Sequence, residues 1–545
     1  MAPAKDIIQV GACIGQEFSH DLLARISAIG DDVLEEGLAK LIEAGLIYRR
    51  GSPPDAIYTF KHALMRDAAY DSLLKSRRVQ LHAEIARTLD EHFADRVVNE
   101  PERLAHHHTQ SGNRTAAIPL WQKAGTLALR RVALQEALAH FQNGLLLIAQ
   151  LPPSAERDSL ELSIREPLNL AWTGLRGWAA PEAADNEVAI LDLARRQNRP
   201  QSLLLGMWGM WSHTITRGQI ADSLEWADRL LDEGTRTHNS DMRIFGHTNV
   251  AISRFYLGDL TDARDQAKQV LKLYDPREAV RRLELTSLDV RTFVGVWSSQ
   301  WTWMLGYPDQ AVRLSDEKDA QARELSNAFN LGFVLTLGAY TFDYRSEPER
   351  LLERIHEADR VAREQSIPFL SEVQIPMAEG LAWLRSGHLG EAISCLRRGI
   401  EHWNGRGGHI RIPYVKAALA EALARQGHLD SALETIDECL DQIERPGWQE
   451  RSHLAEVLRL KGWMLMQKGR GAEAEAPLRA SIEWARRQRA KSWELRASTT
   501  LAELLIDRGQ ADAARRQLAA IYDWFTEGFE THDLRSARRM LESLR

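Results

Sequence analysis

The sequence predicts an all-α fold, an array of helical hairpins coiled into a right-handed superhelix and preceded by a small module with one β-hairpin. Two observations predict it. A Gly is followed five residues later by a small residue at Gly112/Ala117, Gly218/Ser223, Gly258/Ala263, Gly306/Ala311, Gly387/Ala392, Gly427/Ala432, Gly469/Ala474 and Gly509/Ala514. From Gly218 onward the glycines stand 40, 48, 81, 40, 42 and 40 residues apart, and Tyr344-Arg345-Ser346-Glu347-Pro348 lies where the long interval lacks its Gly. A fixed period of this size belongs to hairpins that each need a neighbour to bury their apolar face. The Gly allows the chain to reverse tightly between helices. The small residue opens the second helix where it crosses the first closely, since a large side chain there would hold the two apart.

Residues 1–62 do not repeat. Ile7–Ile14 reads as a short apolar helix, Ser19 as an N-cap for a helix over 21–28, and Asp31 or Asp32 as the start of a helix to Ala44 with Leu34, Leu38, Leu41 and Ile42 at helical spacing. Leu46–Arg50, the turn Gly51-Ser52-Pro53-Pro54-Asp55 and Ile57–Phe60 read as strand, turn, strand. Three helices and a hairpin make a winged-helix pattern. Residues 63–150 read as a helical connector ending in the first hairpin of repeat type, and Pro152-Pro153 as a linker. Residues 151–545 read as the elongated array. Tyr522, Trp524, Phe525 and Phe529 are expected to cap it by packing on the Gly509–Leu518 hairpin, followed by a polar helix Asp533–Leu544.

The bulk numbers narrow the function. The 545 residues are 44% hydrophobic and 27% charged, enough to bury a continuous core. A net charge of −7 gives no global attraction to nucleic acid or an anionic membrane. Cys13, Cys395 and Cys439 lie far apart, fit a reducing cytosol and read as core thiols. No run of about 18 apolar residues suggests a membrane span. A cytoplasmic protein is expected.

The Gly-to-small-residue spacing resembles the tetratricopeptide (TPR) family in its elongated form. Ile14-Gly15-Gln16-Glu17-Phe18, Leu41-Ile42-Glu43-Ala44-Gly45-Leu46-Ile47 and Tyr58-Thr59-Phe60-Lys61-His62-Ala63-Leu64 resemble the winged-helix end of STAND-type signalling ATPases. With Leu273-Tyr274-Asp275-Pro276, Leu305–Ala311 and Tyr522–Phe529, the chain resembles the C-terminal half of bacterial proteins that join an adenylate/guanylate cyclase domain, an ATPase and a TPR array. The resemblance implies a regulatory role in which the repeats sense or bind something. It does not bring ATPase or cyclase activity with it, because the chain has no Gly-Lys dipeptide for a phosphate-binding loop and no acidic pair for cyclase metals. A truncated or split version of such a protein is expected, with no enzymatic activity and no cofactor.

Three function classes follow. The first is a regulator that binds a protein or peptide on the concave face of the array. The second is a non-catalytic subunit of a separately encoded ATPase or cyclase. The third is a transcription regulator, against which the third helix argues: Asp31, Asp32, Glu35, Glu36 and Glu43 face a single base, Lys40, and phosphates would repel them. By motif position the resemblance implies that His62 faces the nucleotide phosphates of an ATPase module in trans; otherwise it fastens the wing to the next helix. The remaining site residues are the repeat-turn positions Gly218, Gly258, Gly306, Gly387, Gly427, Gly469 and Gly509 with Ala263, Ala311, Ala392, Ala432, Ala474 and Ala514. His106-His107-His108 point about 100° apart on a helix and do not converge on a metal, and His82-Ala83-Glu84 lacks the Cys-x-x-Cys a zinc deaminase needs. Trp208, Trp211, Trp297, Trp301 and Trp303 read as interhelix core, or in part as ligand anchors on the concave surface. Arg486-Arg487-Gln488-Arg489-Ala490-Lys491 reads as a solvated helix end or a patch for an acidic partner.

Overall fold

A computed structural model describes residues 2–27, 29–131 and 133–544. The chain is all-α apart from one small sheet, and it divides into two compact units. One runs to Leu175 and includes Asp192–Asn198; the other holds Arg176–Leu191 and everything from Arg199 on.

In the first unit, helices Ala2–Ile14, His20–Ser27 and Asp31–Glu43 pack with three short antiparallel strands: β1 (Glu17–Ser19), β2 (Ile47–Arg50) and β3 (Ile57–Phe60). The sheet order is β1-β3-β2, with Phe18 opposite Tyr58 and Tyr48 opposite Thr59. The sequence reading anticipated only the β2–β3 hairpin. Three residues are too few for strand alternation to register, and Ser19, read as a helix cap, closes β1 while its Oγ still accepts the Leu22 N–H at 3.4 Å. Phe18 packs on Tyr58 and Phe60 with ring centres 5.6 and 5.7 Å apart, joining the sheet to a core of Leu22, Leu23, Leu34 and Leu38. Further helices follow, among them Lys75–His92, Pro101–Gln110, Arg114–Arg130, Leu134–Ile148 and Ala155–Arg176.

The second unit is a TPR-like array. Its hairpins include Pro200–Thr216 with Ile220–Arg236, Ser240–Leu257 with Leu260–Leu273, Val290–Met304 with Pro308–Glu324, Ala328–Arg345 with Pro348–Glu364, and Ile412–Arg425 with Leu429–Glu444. Ser223, Ala263, Ala311, Ala392, Ala432, Ala474 and Ala514 are completely buried at their helix crossings. The glycines from Gly218 to Gly509 turn with φ between 73° and 99°. The 48-residue interval is filled by an extra helix, Ala279–Thr286, between two hairpins. At the position without Gly, Ser346 takes the left-handed conformation itself, at φ 57°, and Leu351 occupies the place of the small residue.

The array also folds back on itself, which its period does not announce. A helix leaves its last carbonyls without partners, and here groups from far along the chain supply them. The N–H groups of His409 and Ile410 donate to the Thr216 carbonyl at 2.8 and 3.2 Å, and those of Arg451 and Ser452 to Tyr256 at 2.7 and 3.1 Å. The Ser492 hydroxyl donates to the Trp303 carbonyl at 2.5 Å, and Arg496 donates to that of Tyr344. Later hairpins therefore rest on the first-helix ends of earlier ones.

The C-terminal segment closes the last hairpin, with helix His532–Ser543 packed on Lys491–Asp507 and Ala511–Tyr522, and its aromatics also join the contact with the earlier turns. Only Phe525 among its aromatics is buried. Trp524 stands edge-on to Tyr307 at 5.7 Å, and Glu527 accepts the N–H groups of Asp309 and Gln310 at 2.9 and 3.0 Å. The last helix, His532–Ser543, is amphipathic rather than polar, with Leu534 and Ala537 buried.

Candidate functional site

The site with most polar chemistry is a groove on the side shared by five successive first helices: Ile375–Arg385, Ile412–Arg425, Leu454–Gln467, Lys491–Asp507 and the closing His532–Ser543. It holds about 460 Å³ and is open to solvent. Each helix contributes a charge at nearly the repeat spacing. Arg385 donates to Asp343 at 2.8 Å and to Glu421 at 3.0 Å. Arg459 holds both oxygens of Glu456 at 2.8 Å, a two-point bond within one helix, and reaches Thr500 at 3.3 Å. Arg496 donates to Asp533 at 2.7 Å and comes within 3.5 Å of Glu456.

Four arginines (Arg385, Arg425, Arg459, Arg496) thus stand among four acids (Glu421, Glu456, Glu503, Asp533) in one groove. Burial opposes ionisation of these acids, and the outcome depends on the nearest guanidinium. Beside Arg496, Asp533 is held down to about 2 despite its burial. Burial likewise opposes the charges of Glu421 and Glu456, yet Arg385 and Arg459 respectively keep both below the usual carboxylate range. Glu503 has only a more distant Arg459, so burial pushes it up. The groove is nearly charge-balanced, with one acid left short of a partner and Trp463 supplying an apolar patch.

Sequence reasoning missed this ladder. Its signal was present as charged residues at intervals of 34 to 37 on otherwise apolar first helices, but such residues read equally well as solvated faces until the helices are stacked. The tryptophans lie in the interhelix core, as their sequence reading has it: Trp211, Trp297, Trp301 and Trp303 are buried, and Trp208 is partly buried against them.

The other singled-out residues lie elsewhere. His62 is exposed and precedes helix Ala63–Asp71, without bonding the helix N-terminus through its side chain. His107 and His82 face each other at 2.8 Å between Nδ1 atoms, and Tyr70 reaches His82 at 3.1 Å. Burial, with His106 nearby, drives His82 down to about 4, and burial drives His107 well below the usual histidine range. His108 turns away toward Asp90 at 3.3 Å. Among the described residues no group of three His, Cys, Asp or Glu side chains is placed to hold a metal ion, and no helix is long and apolar enough to cross a membrane. In the basic run, Arg486 and Lys491 each pair with Glu494 at 2.7 Å, while buried Gln488 donates to the Arg451 carbonyl at 2.7 Å.

No family model matches the chain. An uncharacterized protein of Rhizobium meliloti (strain 1021) is 23% identical over 520 residues, covering 94% of this chain and 50% of its own length. The chain therefore spans about half the length of the curated relative it matches. Among solved structures, a STAND protein with a TPR sensor from Pyrococcus horikoshii is similar at 11% identity and a TM-score of 0.32, over 88% of this chain and 62% of that one. A Rap protein complexed with Competence and Sporulation Factor is similar at 12% identity and a TM-score of 0.46, over 68% of this chain and 98% of that one. At such scores the description of the fold rests on the chain's own helices, which form a TPR-like repeat scaffold.

Proposed function

We propose that the chain is a non-enzymatic regulatory module of the cytoplasm that holds a polypeptide segment in the charged groove. The observation that carries this reading is the intermixing of four arginines and four acids along five helices. A polypeptide presents N–H donors and C=O acceptors in alternation, and a groove offering both carboxylates and guanidinium groups can satisfy both. A nucleic acid presents a dense run of anionic phosphates, and Glu421, Glu456, Glu503 and Asp533 would meet them with like charge. Backbone contacts along the groove would give affinity, while Trp463 and the unevenly matched Glu503 would select side chains.

The resemblance to STAND-type and cyclase-linked proteins adds a wider reading, supported by the relative of twice the length. The module reports occupancy of its groove to an ATPase or cyclase module, and the strand-bearing N-terminal segment is the winged helix through which they meet, with His62 toward the nucleotide.

Selection of a random peptide library on the full chain tests the first reading. Arg425 lies 3.7 Å from Glu421 and donates to the Leu384 carbonyl at 3.3 Å, so Arg425→Glu, checked for fold by circular dichroism, reverses the groove's charge at that point. Enriched peptides should lose at least tenfold in affinity on this variant. Enrichment that is equal on Arg425→Glu, or absent on the parent, overturns the groove as the docking site.

A further inference from the structure

A second cavity in the array has a different chemistry from the charged groove. Its interior space is small, about 90 Å³, and it is partly open to solvent. The lining is almost wholly apolar and rich in aromatic rings, among them Trp178, Trp208, Phe369 and Trp403, and Arg411 is set into it.

Arg411 is unusual in three ways. It is 4% exposed, yet among the described residues no carboxylate lies within 4.0 Å of its guanidinium. Its guanidinium donates to Tyr256 at 2.9 Å and Gln300 at 3.2 Å, both neutral, and lies over the rings of Tyr340 and Trp297 at 3.9 and 4.9 Å. The nearby carboxylate of Glu450 binds the Arg411 backbone N–H instead, at 2.9 and 3.0 Å. Burial pushes Glu450 up to about 8, so at neutral pH it supplies little counter-charge. A buried cation without a counter-ion costs several kcal/mol, and this one is held there by a backbone at φ 69°, where non-glycine residues are strained.

The same cavity holds other unmet polar groups. The Trp297 Nε1–H and the Gln374 Oε1 are both buried without a hydrogen-bond partner. Gln374 closes a five-residue π-helix, Leu370–Gln374, a distortion found mainly at functional sites. A strained arginine, an unpaired indole N–H and an unpaired amide oxygen converge on one aromatic pocket.

We propose that this pocket binds a small planar aromatic carboxylate, whose acid group pairs with Arg411 and whose rings stack among the tryptophans. A planar carboxylate matches the guanidinium fork and supplies the charge the pocket lacks. The Trp297 N–H is a further donor to the ligand, and Gln374 accepts from a ligand hydroxyl or N–H. The site is separate from the charged groove, and peptide binding there is read independently.

Intrinsic tryptophan fluorescence of the full chain, titrated with 2-naphthoate and with neutral 2-naphthamide, tests the proposal. Naphthoate should quench saturably below 1 mM and bind at least tenfold more tightly than the amide. Arg411→Gln, checked for fold by circular dichroism, should remove that preference. If Arg411→Gln does not fold, Trp208→Ala at the partly exposed wall should weaken both probes and keep the preference for naphthoate. No saturable quenching by naphthoate, equal affinity for the amide, or an undiminished preference in folded Arg411→Gln overturns the proposal; so does unchanged binding to Trp208→Ala.

Discussion

Gly258 and Gly306 carry the same repeat signature as Gly427 and Gly469, yet they stand in different surroundings. A Cβ at Gly258 would lie 2.4 Å from the Gln488 amide, and one at Gly306 would lie 2.4 Å from the Trp524 ring and 2.8 Å from Lys491 Cβ. At Gly387, Gly427, Gly469 and Gly509 a Cβ would meet nothing within 4 Å. The later glycines answer one demand, a left-handed turn. The earlier two answer that demand and a second, because hairpins some 200 residues further on press against their turns. The period encodes the turn, and the second demand arises only when the array closes on itself.

The largest expected effect is on the joint between early and late hairpins. Glu450 fixes the Arg411 backbone, and the loop before Arg411 docks on Thr216. Its carboxyl rises from 4.5 to about 8 on folding because it is buried. Between those values the folded chain keeps a proton that the unfolded chain has lost. Stability contributed by this group is therefore full below about pH 4.5 and falls as pH rises through 8. The slope approaches about 1.4 kcal/mol per pH unit, on the order of 5 kcal/mol in all. Urea unfolding at a series of pH values, for the parent and Glu450→Gln, checks this. The difference between the two should shift in favour of Glu450→Gln as pH rises; a constant difference would mean that Glu450 ionises in the joint as it does in water.

Next in size is the contrast between the glycines themselves. Any L-residue in the left-handed turn costs about 1–2 kcal/mol, offset by roughly 0.5–1 kcal/mol of unfolded-chain entropy that glycine carries, so Gly427→Ala and Gly469→Ala should each lose about 0.5–1 kcal/mol. Gly258→Ala and Gly306→Ala add overpacking, a further 1–3 kcal/mol or so. Denaturant midpoints for the four variants measure the gap. Equal losses would show that Gln488 and Trp524 step aside freely and that the joint adds no constraint at these turns.

The hairpins were legible in the sequence because both of their requirements, a positive φ and a small residue at the crossing, are met within five residues and recur. The charged ladder and Arg411 were not. Arg411 meets Tyr256 and Gln300 from 155 and 111 residues away, and nothing local to Gly407-Gly408-His409-Ile410-Arg411 marks it as a buried cation. Strand β1 was lost for the opposite reason: it is local but only three residues long. The C-terminal aromatics were read as a cap for the last hairpin, and Trp524 in fact reaches Tyr307, because closure of the array offers it a partner that a linear stack of repeats would not.

The smallest expected effect tests whether the turn requirement stands by itself. Ser346 holds φ 57° at the one interval where the Gly is missing. Its helix, Ala328–Arg345, ends as those before the glycines do, and the N–H of Glu347 donates to the Phe342 carbonyl at 2.9 Å. Serine there bears the left-handed penalty of about 1–2 kcal/mol. Glycine would remove it but would cost roughly 0.5–1 kcal/mol more in unfolded-chain entropy. Ser346→Gly should therefore stabilise the array by about 0.5 kcal/mol, the opposite sign to Gly427→Ala. The two changes are far apart and share no partner, so the double variant should show the sum of the separate effects. A Ser346→Gly variant less stable than the parent would mean that the serine side chain contributes to the turn, and that the missing glycine is a substitution the fold has come to depend on.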